Sequence, residues 1–143
     1  MLFRSVDYGR IHCPPGWERS RCLVHIAVSL RDILRRHKAE VCAIESLFYA
    51  QNFQTAIIMG EARGAAMAAI GEAGLEIYEV APRKMKQAIV GYGAAQKSAV
   101  SRMVQRMLGL DAPPQSDASD ALALALTYLQ EGSRYSLAPP RRV

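Results

Sequence analysis

Val41-Cys42-Ala43-Ile44-Glu45 is the stretch on which the fold turns. Four apolar residues in unbroken succession, two of them β-branched, have the form of a short strand buried on both faces of a parallel sheet. The fifth residue is a carboxylate at the strand's C-terminal end. In open α/β sheets, ligand sites gather beyond the carboxyl ends of strands, which makes Glu45 a candidate functional residue. Taken alone, it reads first as a solvated side chain leaving a strand.

Upstream of this stretch, Leu2 to Ile11 reads as a strand, and Pro14-Pro15-Gly16 breaks the chain. Leu23, Ile26, Ala27, Leu30, Ile33 and Leu34 then recur at helical steps, with Arg31, Asp32, Arg35 and Arg36 on the opposite face. Downstream, Thr55 to Ala73 is helical with Gly74 as its stop. Its Gly60, Ala62, Gly64, Ala65, Ala66, Ala68 and Ala69 permit very close approach of another element. Leu75 to Val80 alternates as a strand, and Pro82 opens a short helix reaching Val90. Gly91-Tyr92-Gly93 ends that helix. Gln96 to Leu108 is a basic amphipathic helix, and Ser116 is expected to cap a last helix running to Gln130. Strands alternating with helices indicate an α/β domain, spanning residues 1–131 as one unit. Residues 132–143 are polar, basic and proline-containing, and are expected to lack fixed structure.

The 143 residues are half hydrophobic, enough for a sizeable core. The net charge of +5 favours a polyanionic partner. Its distribution is more telling: Arg83, Lys84, Lys86, Lys97, Arg102 and Arg106 fall between Ala81 and Leu110 without one acidic residue. On charge alone this block is either a solvated helical face or a nucleic-acid surface. Three cysteines and no signal peptide argue against a disulfide framework and make a reducing cytoplasm the default location. No apolar run reaches the ~20 residues of a membrane span. Cys13, Cys22 and His25, with His12 nearby, raise a zinc reading, but a second pair with matching spacing is missing.

Asp117 and Asp120 sit three residues apart in the first turn of the last helix and can project from one face. Acidic residues are also favoured there simply by the exposed N–H groups. The helix continues as Ala121-Leu122-Ala123-Leu124-Ala125-Leu126, apolar nearly all round, so its start must lie close to the core. Convergence of Glu45, Asp117 and Asp120 would give a hard-oxygen site suited to Mg²⁺ or Mn²⁺. Two such ions about 3.5–4 Å apart hydrolyse phosphodiesters, and a polyanionic substrate would account for the basic block.

The strings Ala43-Ile44-Glu45-Ser46-Leu47-Phe48, Gly60-Glu61-Ala62-Arg63-Gly64, Val90-Gly91-Tyr92-Gly93 followed by Gln96-Lys97, and Asp117-Ala118-Ser119-Asp120-Ala121-Leu122-Ala123 occur in this order. Together they resemble the RuvC family of Holliday-junction resolvases, from about Arg4 to Tyr128. The resemblance implies an RNase H-like fold with a mixed sheet flanked by helices, a homodimer, and metal-dependent cleavage of four-way DNA junctions in recombination and repair. It implies Glu45, Asp117 and Asp120 as metal ligands, two Mg²⁺ per site with Mn²⁺ as a substitute, and Lys86 and Lys97 near the scissile phosphate. Phe48 matches an aromatic that stacks on a base at the junction centre. Lys84 and Arg102 of the basic block join Phe48, Lys86 and Lys97 as expected DNA contacts. The small-residue helix around Gly60 to Ile70 is similar to the family's dimer interface, and a branch-migration helicase is a further expected partner.

The front of the chain departs from the family pattern. Family members begin with a strand ending in an Asp-Pro-Gly-like motif whose Asp is the first metal ligand; that strand leads a three-stranded meander, and Phe3 to Ile11 matches the meander's last strand instead. The resemblance therefore implies an N-terminally truncated fold. Asp7-Tyr8-Gly9 mimics the motif, but Pro14-Pro15-Gly16 leaves no room for the two strands that should follow. The rival expectation is a junction-DNA-binding remnant without catalysis, and a more distant one is a fragment of another RNase H-like nuclease or transposase.

Overall fold

The computed structural model describes residues 3–47, 52–132 and 140–143. Its elements follow in the order α1 (Arg19–His37), β1 (Val41–Glu45), α2 (Phe53–Glu72), β2 (Glu76–Val80), α3 (Pro82–Ile89), α4 (Lys97–Leu108), α5 (Ser116–Glu131) and β3 (Arg141–Arg142). The chain forms two compact units, one comprising Met1–Arg10, Ala43–Ser46 and Tyr78–Val143, the other Ile11–Cys42 and Leu47–Ile77.

In the first unit, α3, α4 and α5 pack on one another. Val80, Met85, Ile89, Val100, Val104, Ala123, Leu124 and Leu126 form the core, with Phe3 and Ala43 packed against it. The apolar faces of three amphipathic helices thus meet at the exits of two strands. The sheet order is β1-β2-β3. The Ser46 N–H, just past the end of β1, donates to Val80 O at the end of β2 over 3.1 Å, so the two strands run the same way. β3 is antiparallel to β2, pairing Tyr78 with Arg142 and Glu79 with Arg141. The tail read from sequence as lacking structure therefore ends in a short strand.

The second unit is built on α1 and α2, which pack together. Arg19 and Arg31 of α1 pair with Glu61 and Glu72 of α2 at 3.3 and 2.8 Å. The helix ends follow local chemistry. Asn52 caps α2 by accepting from the Thr55 N–H at 2.8 Å. Lys38 ends α1 in the left-handed conformation, φ 47°, and Gly74 turns the chain after α2 at φ 81°.

Two local expectations are corrected. The segment Leu2 to Ile11 carries a strand-like pattern, yet its described part forms no strand. A strand exists only through its ladder, and no described strand pairs with it. Ser116 does not cap α5 but is its first helical residue; Gln115 holds the cap position without a side-chain bond. The Ser119 N–H reaches back to Gln115 O at 2.7 Å, so the helical ladder itself starts there.

Candidate active site

β1 delivers Glu45 as its final residue. Its height is fixed one residue later by the Ser46–Val80 hydrogen bond. α5 delivers Asp117 and Asp120 from its first turns, and the buried Ala118, Ser119, Ala123, Leu124, Leu126 and Thr127 fasten that helix along its length. Lys86 stands in the last turn of α3, and Lys97 is the first residue of α4. Five side chains separated by up to 75 positions thus come from four elements whose packing is set by one core.

The electrostatics centre on Glu45 and Asp120. Burial pushes the Glu45 carboxyl above its ordinary value, and the negative charge of Asp120 pushes it further, while Lys97 and Lys86 pull it back. Burial likewise raises Asp120, with Asp117 adding to the rise against the pull of Lys97 and Lys86. Glu45 and Asp120 are half-buried, whereas Asp117 is exposed. Arg10 Nη1 lies 4.0 Å from Asp117 Oδ2, a loose pair between exposed side chains.

The structure thus brings Glu45 and Asp120 within each other's influence and that of Lys86 and Lys97, with Asp117 acting on Asp120. It does not gather every expected residue. Lys84 turns to Glu131, Nζ to Oε2 3.0 Å, with both side chains largely covered, so its charge is already matched inside the fold. Arg102 is exposed on α4, where its Nε donates to Ser98 O at 3.4 Å. Phe48 lies outside the described residues. Asp7 is exposed and is not among the charges that move Glu45 or Asp120. The residues of the zinc reading have other neighbours: His25 meets the Trp17 ring edge-on at 5.5 Å, and Cys13 Sγ donates to Cys22 O at 3.9 Å. Among the described residues no group of three His, Cys, Asp or Glu side chains is close enough to hold a metal. Arg10 is the residue that sequence reasoning missed, because nothing local links it to Asp117.

A divalent cation suits this donor set by its chemistry. All three candidate donors are carboxylates, hard oxygens of the kind Mg²⁺ and Mn²⁺ select. Two of them are held where burial and mutual repulsion disfavour their charge, which is the condition a bound cation relieves.

Comparison with known proteins places the chain in a family. The family described as crossover junction endodeoxyribonuclease RuvC matches residues 2–128. The RuvC protein of Akkermansia muciniphila is 43% identical over 126 residues, covering 88% of this chain and 75% of the relative. That of Caldicellulosiruptor saccharolyticus is 39% identical over 132 residues, covering 92% and 80%. The structure of Thermus thermophilus RuvC superposes with a TM-score of 0.82 at 31% identity, covering 96% of this chain and 82% of that one. The same protein in complex with a Holliday junction substrate gives 0.87 at 32% identity, covering 96% and 84%. The α/β architecture is accordingly RNase H-like, a mixed sheet flanked by helices. With the match running through nearly the whole chain and taking in β1, α3, α4 and the start of α5, this protein belongs to the RuvC family.

Proposed function

We propose that this chain is a structure-selective endonuclease that resolves four-way DNA junctions by hydrolysing phosphodiester bonds. The observation that carries the reading is the meeting, at the exit of β1 and the start of α5, of Glu45 and Asp120 with each other and with Lys86 and Lys97, Asp117 acting on Asp120. Glu45, Asp117 and Asp120 are the residues that hold Mg²⁺, or Mn²⁺ in its place, as a pair of ions. Bound there, divalent cations lower the pKa of water and offset charge on the departing oxygen. Lys86 and Lys97 place positive charge beside the same carboxylates, where an approaching phosphate is drawn in and its growing charge is met. Arg102, exposed on the same basic helix, tracks the backbone further out. Phe48 stacks on a base at the junction centre. Lys84, engaged with Glu131, is left out of the DNA-binding set.

The surface of α2 supports pairing of two copies. Phe53, Ile57, Gly60, Gly64, Ala68 and Gly71 recur at helical steps and are all exposed, Phe53 at 89% and Ile57 at 56%. A Cβ on Gly60, Gly64 or Gly71 would meet nothing within 4 Å. This face therefore has open room for a second α2, and a homodimer would present two sites for paired nicks. A branch-migration helicase is the expected further partner, and the cytoplasm the expected location. No helix among the described residues is long and apolar enough to cross a membrane.

The test is nicking of a labelled synthetic four-way junction in Mg²⁺, in Mn²⁺ and in chelator. Paired nicks near the crossover, dependent on metal and absent on linear duplex, support the reading. A second reading, junction binding without cleavage, is favoured by the lack of three close metal ligands among the described residues. Tight binding in both metals with no nicking would establish it.

A further inference from the structure

Gly93 is a glycine for a reason other than its backbone. Gly91, two residues earlier, has φ 111°, a conformation that needs glycine, but Gly93 is not among the positive-φ residues. What excludes a side chain there is Arg83. A Cβ on Gly93 would overlap Arg83 Cγ, and would lie 2.9 Å from Nε and 3.2 Å from Cδ. The arginine's stem is therefore laid across the Gly91–Gln96 loop, and the absent side chain is the groove it lies in. Arg83 is nevertheless exposed. Among the described residues no carboxylate pairs with it.

The surroundings give this guanidinium a direction of use. Arg83 stands in the first turn of α3, three residues before Lys86 and so on the same helix face. The loop beneath its stem leads directly to Lys97. Lys86 and Lys97 are the two cations that act on Glu45 and Asp120. A planar guanidinium offers a phosphate two parallel donors, and a stem already held in place loses less freedom when it binds.

We propose that Arg83 is a further substrate-contacting residue, a phosphate clamp beside the candidate active site whose reach is set by the missing side chain at Gly93. It rests on the reading of the chain as a junction-binding protein. It separates geometry from charge, because Gly93→Ala alters the arginine's placement while leaving every charge in the chain unchanged.

The experiment measures binding of a labelled four-way junction, without divalent metal, between about 50 and 200 mM salt. The full chain is compared with Arg83→Ala, Gly93→Ala, the double variant, and Arg36→Ala as an exposed arginine on α1 outside the candidate site. Arg83→Ala is expected to weaken binding about threefold to tenfold and to lower the salt slope by about 0.9. Gly93→Ala should weaken binding by a similar factor, and the double variant should match Arg83→Ala. Three outcomes would overturn the proposal: Gly93→Ala binding like the parent, the double variant binding worse than Arg83→Ala, or Arg83→Ala behaving like Arg36→Ala. Failure of the parent chain itself to bind the junction would instead remove the reading on which the clamp depends, and the clamp with it.

Discussion

The Ser46 N–H and the Val80 carbonyl, 3.1 Å apart, tie the exits of β1 and β2 together immediately beyond Glu45. Through this bond the carboxylate belongs to the rigid end of the sheet, and its separation from α5 is set by the packed core around Val80, Ala123 and Leu124. Residues so fixed can be neutralised without moving the chain.

Glu45→Gln and Asp117→Asn are therefore expected to leave junction affinity within about twofold and to reduce metal-dependent nicking by about a hundredfold or more, beyond the roughly 10–100-fold typical of losing a residue behind a metal ligand. Parallel binding and nicking assays in Mg²⁺ check this. Nicking at the parent rate by either variant would refute the ligand assignment.

The raised carboxyls set the pH dependence of the metal-free protein. Glu45 and Asp120 hold their protons more firmly when folded than in the unfolded chain, where the ordinary values are 4.5 and 3.8. Their contribution to stability is thus full below those values and is lost as pH rises through the folded ones. Melting temperature should fall on that rise, and less so in Glu45→Gln. Added Mg²⁺ should lift it most at neutral pH, where both groups are ionised, because a ligand that binds only the folded state stabilises it. Melting curves from about pH 4 to 8, with and without Mg²⁺, decide the matter; a Mg²⁺ effect equal at both ends would contradict it.

If Lys86 and Lys97 neutralise phosphates, replacing both with alanine should weaken binding to all junction sequences alike. The salt slope should fall by about 0.9 for each phosphate that no longer has its lysine. A slope equal to the parent's would return them to the status of helix-surface lysines.

Lys84→Ala should act on the fold and not on DNA. Its partner Glu131, only 17% exposed, would be left covered and unpaired, at a cost of about 1–3 kcal/mol. Urea unfolding measures that cost, and junction titrations should show an unaltered salt slope. A lowered slope with unaltered stability would place Lys84 on the DNA surface after all.

Much of this was legible because the signals are local. An unbroken apolar run gives β1, alternation gives β2, apolar residues on one helical face give α1 and α4, and a run apolar nearly all round gives α5. The approach of Glu45 to Asp120 was legible by a longer route. A strand's exit and the start of an apolar helix both have to lie at the core. What stayed hidden is nonlocal. The pattern in Leu2 to Ile11 cannot tell whether a ladder partner stands beside it, and the basic block cannot tell that Lys84 turns to Glu131 while Arg83 crosses Gly93. Arg10 near Asp117 joins residues 107 positions apart, with no periodicity or motif to link them.

The two-residue strand β3 has a consequence for how the molecule behaves in a crowd. An open strand edge is a row of unsatisfied amides and carbonyls that recruits any extended chain, and repeated recruitment is how fibrils grow. Here the row along β2 is met at Tyr78 and Glu79 by the chain's own backbone, and the residues that meet it are both arginines, whose exposed charges repel a further copy. Arg141 and Arg142 thus serve as a stopper against self-templated stacking, and a variant with both replaced by valine should pass from clear solution to thioflavin-positive aggregate sooner than the parent.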